Sequence, residues 1–145
     1  MWMDSSTRYG TVTRCFHWAL AVLVIGMLIL GWVMTSLPKH SAVGNTLTSI
    51  HKSTGVLILL LAILFFLWRV INPRPSLRPL PAWQRYLAHA THYLLYFILL
   101  AQPLAGLIMV MAGDHPVSVY GLLTLPVWTP HSKMLASGAH MVHTG

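Results

Sequence analysis

Three long apolar runs whose interiors are free of formal charge, followed by a short fourth segment after Lys133, predict an all-α protein: a transmembrane helix bundle with three complete spans and the start of a fourth helix. Of the 145 residues, 56% are hydrophobic and 8% charged, and the mean hydropathy is +0.67, which excludes an ordinary water-soluble domain and a disordered chain. Nine Lys and Arg stand against two acidic residues, for a net charge of +7. These cations sit between apolar runs rather than on one polar face, so they read as basic loops beside a lipid bilayer and not as a nucleic-acid surface. Cys15 is the one cysteine, so there is no internal disulfide, no C-x-x-C redox motif and no structural zinc framework.

The first span covers about residues 15–37, from Cys15 to Leu37, long enough at 1.5 Å per residue for a hydrocarbon layer of about 30 Å. It exceeds the apolar stretch of a secretory leader and no small-x-small cleavage site follows, so it is expected to be retained. The second span covers about residues 50–71, with Lys52 and Arg69 placed where their long stems reach the headgroups. Asn72 to Pro81, dense in proline and arginine, reads as an extended solvated linker. The third span, about residues 86–112, carries His89, His92, Gln102 and Pro103 and crosses if tilted or kinked near the proline. In the next connection the apolar segment from Tyr120 to Trp128 is expected along the outer membrane surface. A fourth helix begins at about residue 133. Residues 1–145 thus form a single domain, expected to be incomplete at its C-terminal end.

Arg8 and Arg14 precede the first span, and Arg69, Arg74, Arg78 and Arg85 surround the second connection, against Lys39, Lys52 and Lys133 on the other side. The positive-inside rule then puts the N-terminus and the second connection in the cytoplasm, with the first and third connections outside.

Histidine is the informative residue. His17, His51, His89 and His92 fall in the spans, and His140 and His143 begin the fourth helix. Imidazole has a donor and an acceptor nitrogen, and leaving either unpaired in hydrocarbon costs a few kcal/mol. Backbone carbonyls, Ser, Thr or water can satisfy any one of them. Two imidazoles from different helices can instead fill both axial positions of a haem iron. Without a C-x-x-C-H sequence such a haem is held without thioether bonds, as haem b. Zinc fits less well, since there is no H-E-x-x-H motif and the spans lack acidic ligands. His17 enters from the inside and His51 from the outside, so they belong to different sites. His143 lies at the depth of His51 and is its plausible axial partner; His140, three residues earlier, is the rival ligand or a rim group. For His17 the chain offers only His89 or His92, unless the partner lies on a further segment.

In order along the chain stand Arg14-Cys-Phe-His17-Trp18, Ile50-His51-Lys52-Ser-Thr-Gly55, Leu67-Trp-Arg69, His89-Ala-Thr-His92-Tyr-Leu-Leu-Tyr96, Pro103-Leu-Ala-Gly106 and His140-Met-Val-His143. Together, from about Tyr9 to the end, they resemble the bacterial cytochrome b561 family, integral membrane di-haem proteins of four helices. The resemblance implies that His17, His51 and His143 bind haem iron, with His143 the first of two ligands on helix four. The second of these would lie about four turns further on, so the chain is expected to be a fragment. Arg14, Arg69 and Lys52 are candidate partners of the anionic haem propionates, or ordinary snorkelling cations. Gly55 and Gly106 admit a flat macrocycle or close helix contact, with helix contact favoured for Gly106.

Iron with two axial histidines has no vacant position, which points to outer-sphere electron transfer. The resemblance implies a respiratory membrane carrier exchanging electrons with a quinone. In some members it implies oxidation of superoxide at the outer face with ubiquinone as acceptor, an oxidoreductase activity in which Lys52 and Lys133 would attract the anion. Two other classes stay open: a cytochrome b subunit anchoring a periplasmic dehydrogenase or hydrogenase, and a haem-free fragment without activity.

Overall fold

A computed structural model describes residues 1–5, 7–38, 41–72, 75 and 81–144. Lys39, Arg74, Arg78 and most of the proline-rich linker lie outside the described residues. Four helices and a hairpin follow in order: α1 Thr11–Ser36, α2 Ala42–Ile71, α3 Ala82–Ala112, β1 Val117–Val119, β2 Leu123–Leu125 and α4 Lys133–Thr144. The first three are long and apolar enough to cross a membrane, with window hydropathies of 2.3, 2.5 and 2.2.

Each long helix starts before the apolar run that predicts it. For α2 the reason is local: Ser41 Oγ accepts the Gly44 N–H at 3.1 Å as an N-cap. The Thr46 and Thr48 hydroxyls then donate to the carbonyls of Ala42 and Gly44 at 3.0 and 2.8 Å. The polar stretch before Ile50 is thereby satisfied as helix, so hydropathy finds the membrane segment and capping finds the helix.

The helices pack in chain order. α2 lies between α1 and α3, and α3 between α2 and α4; among the described residues no Cα of α1 comes within 8 Å of one in α3 or α4. The buried core is small and belongs to the first three helices: Leu20, Ile58 and Phe65, surrounded by Phe16, Leu23, Met27, Tyr96 and Leu99. Phe65 stacks on Phe16 with ring centres 5.5 Å apart and meets Tyr96 edge-on at 6.2 Å. Trp18, Val22, Ile25, Ile29 and Trp32 recur every three or four residues on α1 and are exposed, as a lipid-facing stripe should be.

Before α1 the chain doubles back. The amides of Thr11 and Val12 donate to the carbonyls of Met1 and Trp2 at 3.1 and 3.3 Å. Asp4 accepts the Gly10 N–H at 2.6 Å and is buried. This strap supplies the N-terminal amides of α1 with acceptors that no side-chain cap provides.

The third connection carries secondary structure that hydropathy alone does not reveal. Its residues fold into an antiparallel hairpin pairing Val117 with Leu125, Ser118 with Thr124 and Val119 with Leu123. Tyr120, Gly121 and Leu122 form the three-residue connection, with Tyr120 at φ 51°, Gly121 at φ 72° and the Leu122 N–H donating to the Val119 carbonyl at 3.0 Å. Glycine takes the left-handed φ at 121 without steric cost. The hairpin docks on α2 through Ser53, whose Oγ accepts the Tyr120 N–H at 2.9 Å, and through Thr54, whose Oγ1 meets the Tyr120 hydroxyl at 2.7 Å.

Candidate cofactor site

Two histidines from non-neighbouring helices meet at one end of the bundle. The rings of His51 on α2 and His143 on α4 have centres 6.0 Å apart and an interplanar angle of 83°. Among the described residues no Cα pair between α2 and α4 lies within 8 Å, so the two imidazoles reach towards each other across a gap that the backbones leave open. Two imidazoles sharing one metal, with metal–nitrogen bonds of about 2 Å, place their ring centres about 6 Å apart.

Hydrogen bonding separates the two rings. His143 Nδ1 lies 2.9 Å from the backbone carbonyl of Gln102 on α3. A carbonyl only accepts, so Nδ1 carries the proton and Nε2 presents a bare lone pair. His51 Nδ1 is buried and without a hydrogen-bond partner among the described residues. An imidazole nitrogen left orphaned in an apolar bundle, beside a second imidazole with a free lone pair, fits a metal-bearing group between them. Glycine makes room for the His143 ring, whereas at Gly31 a side chain would meet His51 at ordinary contact distance. A Cβ on Gly106 would lie 2.8 Å from His143 Cε1, and one on Gly31 would lie 3.7 Å from His51 Cε1.

The remaining histidines are disposed differently. His17 is exposed on α1, edge-on to Trp18 at 5.5 Å. His89 is exposed and stacked on Tyr93 at 6.5 Å, and His92, also exposed, has Nδ1 2.5 Å from the Ala88 carbonyl of its own helix. Among the described residues no ring contact joins His17 to either of them. His140 is exposed and turned to Thr144, whose Oγ1 lies 3.4 Å from its Nδ1, while His143 takes the place opposite His51.

A family model for the prokaryotic cytochrome b561 matches residues 8–145. The chain belongs to this family. It is 34% identical to cytochrome b561 homolog 2 of Escherichia coli (strain K12) over 97% of its own length and 75% of that protein's. It is 28% identical to cytochrome b561 homolog 1 of the same organism, over 89% and 74%. A third relative, the probable superoxide oxidase CybB of Yersinia pestis, is 25% identical over 87% and 68%.

Among the cations of this cytochrome b561 chain, Arg14 is exposed on α1. Arg69 is engaged within the protein: its Nη1 donates to Asp4 Oδ2 at 2.8 Å, and its guanidinium lies 5.0 Å from the Tyr9 ring centre and 5.4 Å from that of Phe65. The sequence leaves Arg69 as a propionate partner or a snorkelling cation, and gives no sign of the strap that carries Asp4. Lys52, next to His51, lines a polar groove of about 280 Å³ with Asn45, Thr48, Ser49, Pro116 and Ser118. Gln102 was missed as well, because the atom that meets His143 belongs to its backbone and leaves no mark in the residue type.

Proposed function

We propose that this chain is a haem b electron carrier of the bacterial inner membrane, passing electrons between a donor at the outer face and the quinone pool, with the N-terminus in the cytoplasm. His51 and His143 are the axial pair of the outer haem, and His17 is a ligand of a second haem towards the cytoplasmic end. The observation that carries the reading is the meeting of two imidazoles, ring centres 6.0 Å apart, across a gap between α2 and α4. When bound, the haem supplies one-electron exchange between ferric and ferrous iron with both axial positions occupied. The protein's part is to hold two neutral imidazoles at the right separation in an apolar surrounding. Arg14 lies where the positive-inside rule places a cation, available to a propionate at the cytoplasmic end, and Lys52 is its counterpart outside.

One observation favours superoxide as the outer donor: Lys52 lines a polar groove one residue from His51. A cation there attracts a small anion. Superoxide gives up one electron and leaves as dioxygen, and two such electrons with two protons convert a quinone to its quinol. The relative named a probable superoxide oxidase agrees with this reading.

Reduced-minus-oxidised difference spectra of membranes carrying the protein test the assignment. His51→Ala and His143→Ala should each remove the same haem, and full haem content in either variant would overturn it. Superoxide-dependent reduction of the haem in the purified protein supports the second reading, and its absence removes it.

A further inference from the structure

We infer that α3, a helix without an assigned axial ligand, holds one of the ligands in place: Gly106 is a positioning residue for His143, and together with the Gln102 carbonyl it sets the redox potential of the outer haem. The inference rests on His143 being an axial ligand and adds what controls it.

Contacts around the His143 ring carry the argument. Its Nδ1 lies 2.9 Å from the Gln102 carbonyl, which has a second lone pair to offer beyond the one used in its own helix. The edge of the ring is pressed onto α3 at Gly106, where an added Cβ would stand 2.8 Å from Cε1, 3.1 Å from Nδ1 and 3.3 Å from Nε2. Non-bonded carbon atoms prefer about 3.5 to 4.0 Å, so alanine at 106 pushes the ring away by several tenths of an ångström. The atoms it displaces include both nitrogens: the one that donates to Gln102 and the one left to face the metal. No other described glycine stands so close to a histidine that faces another histidine.

An N–H donating to a carbonyl makes the opposite imidazole nitrogen a stronger electron donor and fixes the ring plane. A stronger axial donor favours ferric over ferrous iron and lowers the midpoint potential. The tie between α3 and α4 thereby acts on the iron from the side away from the ligand bond, and a rigid seat keeps that effect constant.

Two variants and one control decide the matter. Gly106→Ala should retain the outer haem, shift its midpoint potential to more positive values and move its ferric low-spin EPR signal, which reports the angle between the axial ring planes. Gly138→Ala adds the same methyl on α4 where nothing lies within 4 Å, and should move neither. His143→Gly, supplied with free imidazole or with 1-methylimidazole, separates the hydrogen bond from folding defects at Gly106. Imidazole should restore the wild-type potential, while 1-methylimidazole, which has no N–H for the Gln102 carbonyl, should ligate at a more positive one. Equal potentials with the two ligands, or an unmoved potential in Gly106→Ala, would overturn the inference. If His143→Gly keeps a native outer haem without added ligand, the axial assignment itself fails.

Discussion

Arg69 Nη1 and Asp4 Oδ2 form a salt bridge at 2.8 Å with side-chain exposures of 7% and 0%, joining the last turn of α2 to the strap ahead of α1. Only two acidic residues exist in the chain, and one of them is spent here. A buried pair repays its desolvation only when its remaining polar atoms also find partners. Asp4 meets that condition through the Gly10 N–H, whereas Arg69 Nε and the neighbouring Asn72 amide are buried without partners among the described residues.

Removing one member of this pair should therefore be worse than removing both. Asp4→Ala leaves a guanidinium buried without its counter-charge, at a cost of about 3 kcal/mol, the lower end for buried pairs because the strap can detach and admit water. Asp4→Ala combined with Arg69→Leu should recover much of the loss. Thermal unfolding in detergent followed by circular dichroism checks the order, and a double variant less stable than Asp4→Ala alone would contradict it.

Trp68 Nε1 donates to Thr13 Oγ1 at 2.9 Å, one turn before His17 on α1. Thr13→Val keeps the shape and deletes the acceptor. Side-chain hydrogen bonds between membrane helices average about 0.6 kcal/mol and reach about 1.7. The loss should fall in that range and appear as a blue shift and altered quenching of the Trp68 fluorescence, isolated by replacing the other tryptophans with phenylalanine.

At the other end, Ser53 is 1% exposed and its hydroxyl accepts the Tyr120 amide at 2.9 Å while donating to Ser49 or Ser118 carbonyls at 2.9 and 3.2 Å. Ser53→Ala orphans that amide, costing about 1 to 3 kcal/mol of local stability. Faster hydrogen exchange at the Tyr120 amide, with helix exchange unchanged, is the expected signature. Gly121→Ala, at φ +72° with open space around it, should cost about 1 to 2 kcal/mol through backbone strain alone.

His92 has its Nδ1 proton satisfied by its own helix, so His92→Ala should leave the haem count of the membranes unchanged. Loss of a haem would show that His92 ligates after rearrangement.

Hydropathy and length were enough to read the three spans and the fourth helix, and the approach of His51 to His143 followed from both standing where their helices enter from the same side. The hairpin could have been found too: Val117-Ser-Val and Leu123-Thr-Leu alternate around Tyr120-Gly121-Leu122, a short glycine-bearing connection outweighed by the apolar character of the segment. The Arg69–Asp4 pair was not legible, because Asp4 lies in a short polar stretch with no periodic pattern. The seat of His143 was half visible. Gly106 stood out as a glycine in a helix, but the ring it admits comes from another helix, and pairwise contact between distant elements is not written in local sequence.

Among the described residues α1 and α4 each lie beside one helix only, α2 for the first and α3 for the second. Stripped of lipid, the bundle would open from these two flanks before its central helices part. His17 would leave with one flank and His143 with the other, so each end loses a histidine while α2 and α3 still hold together.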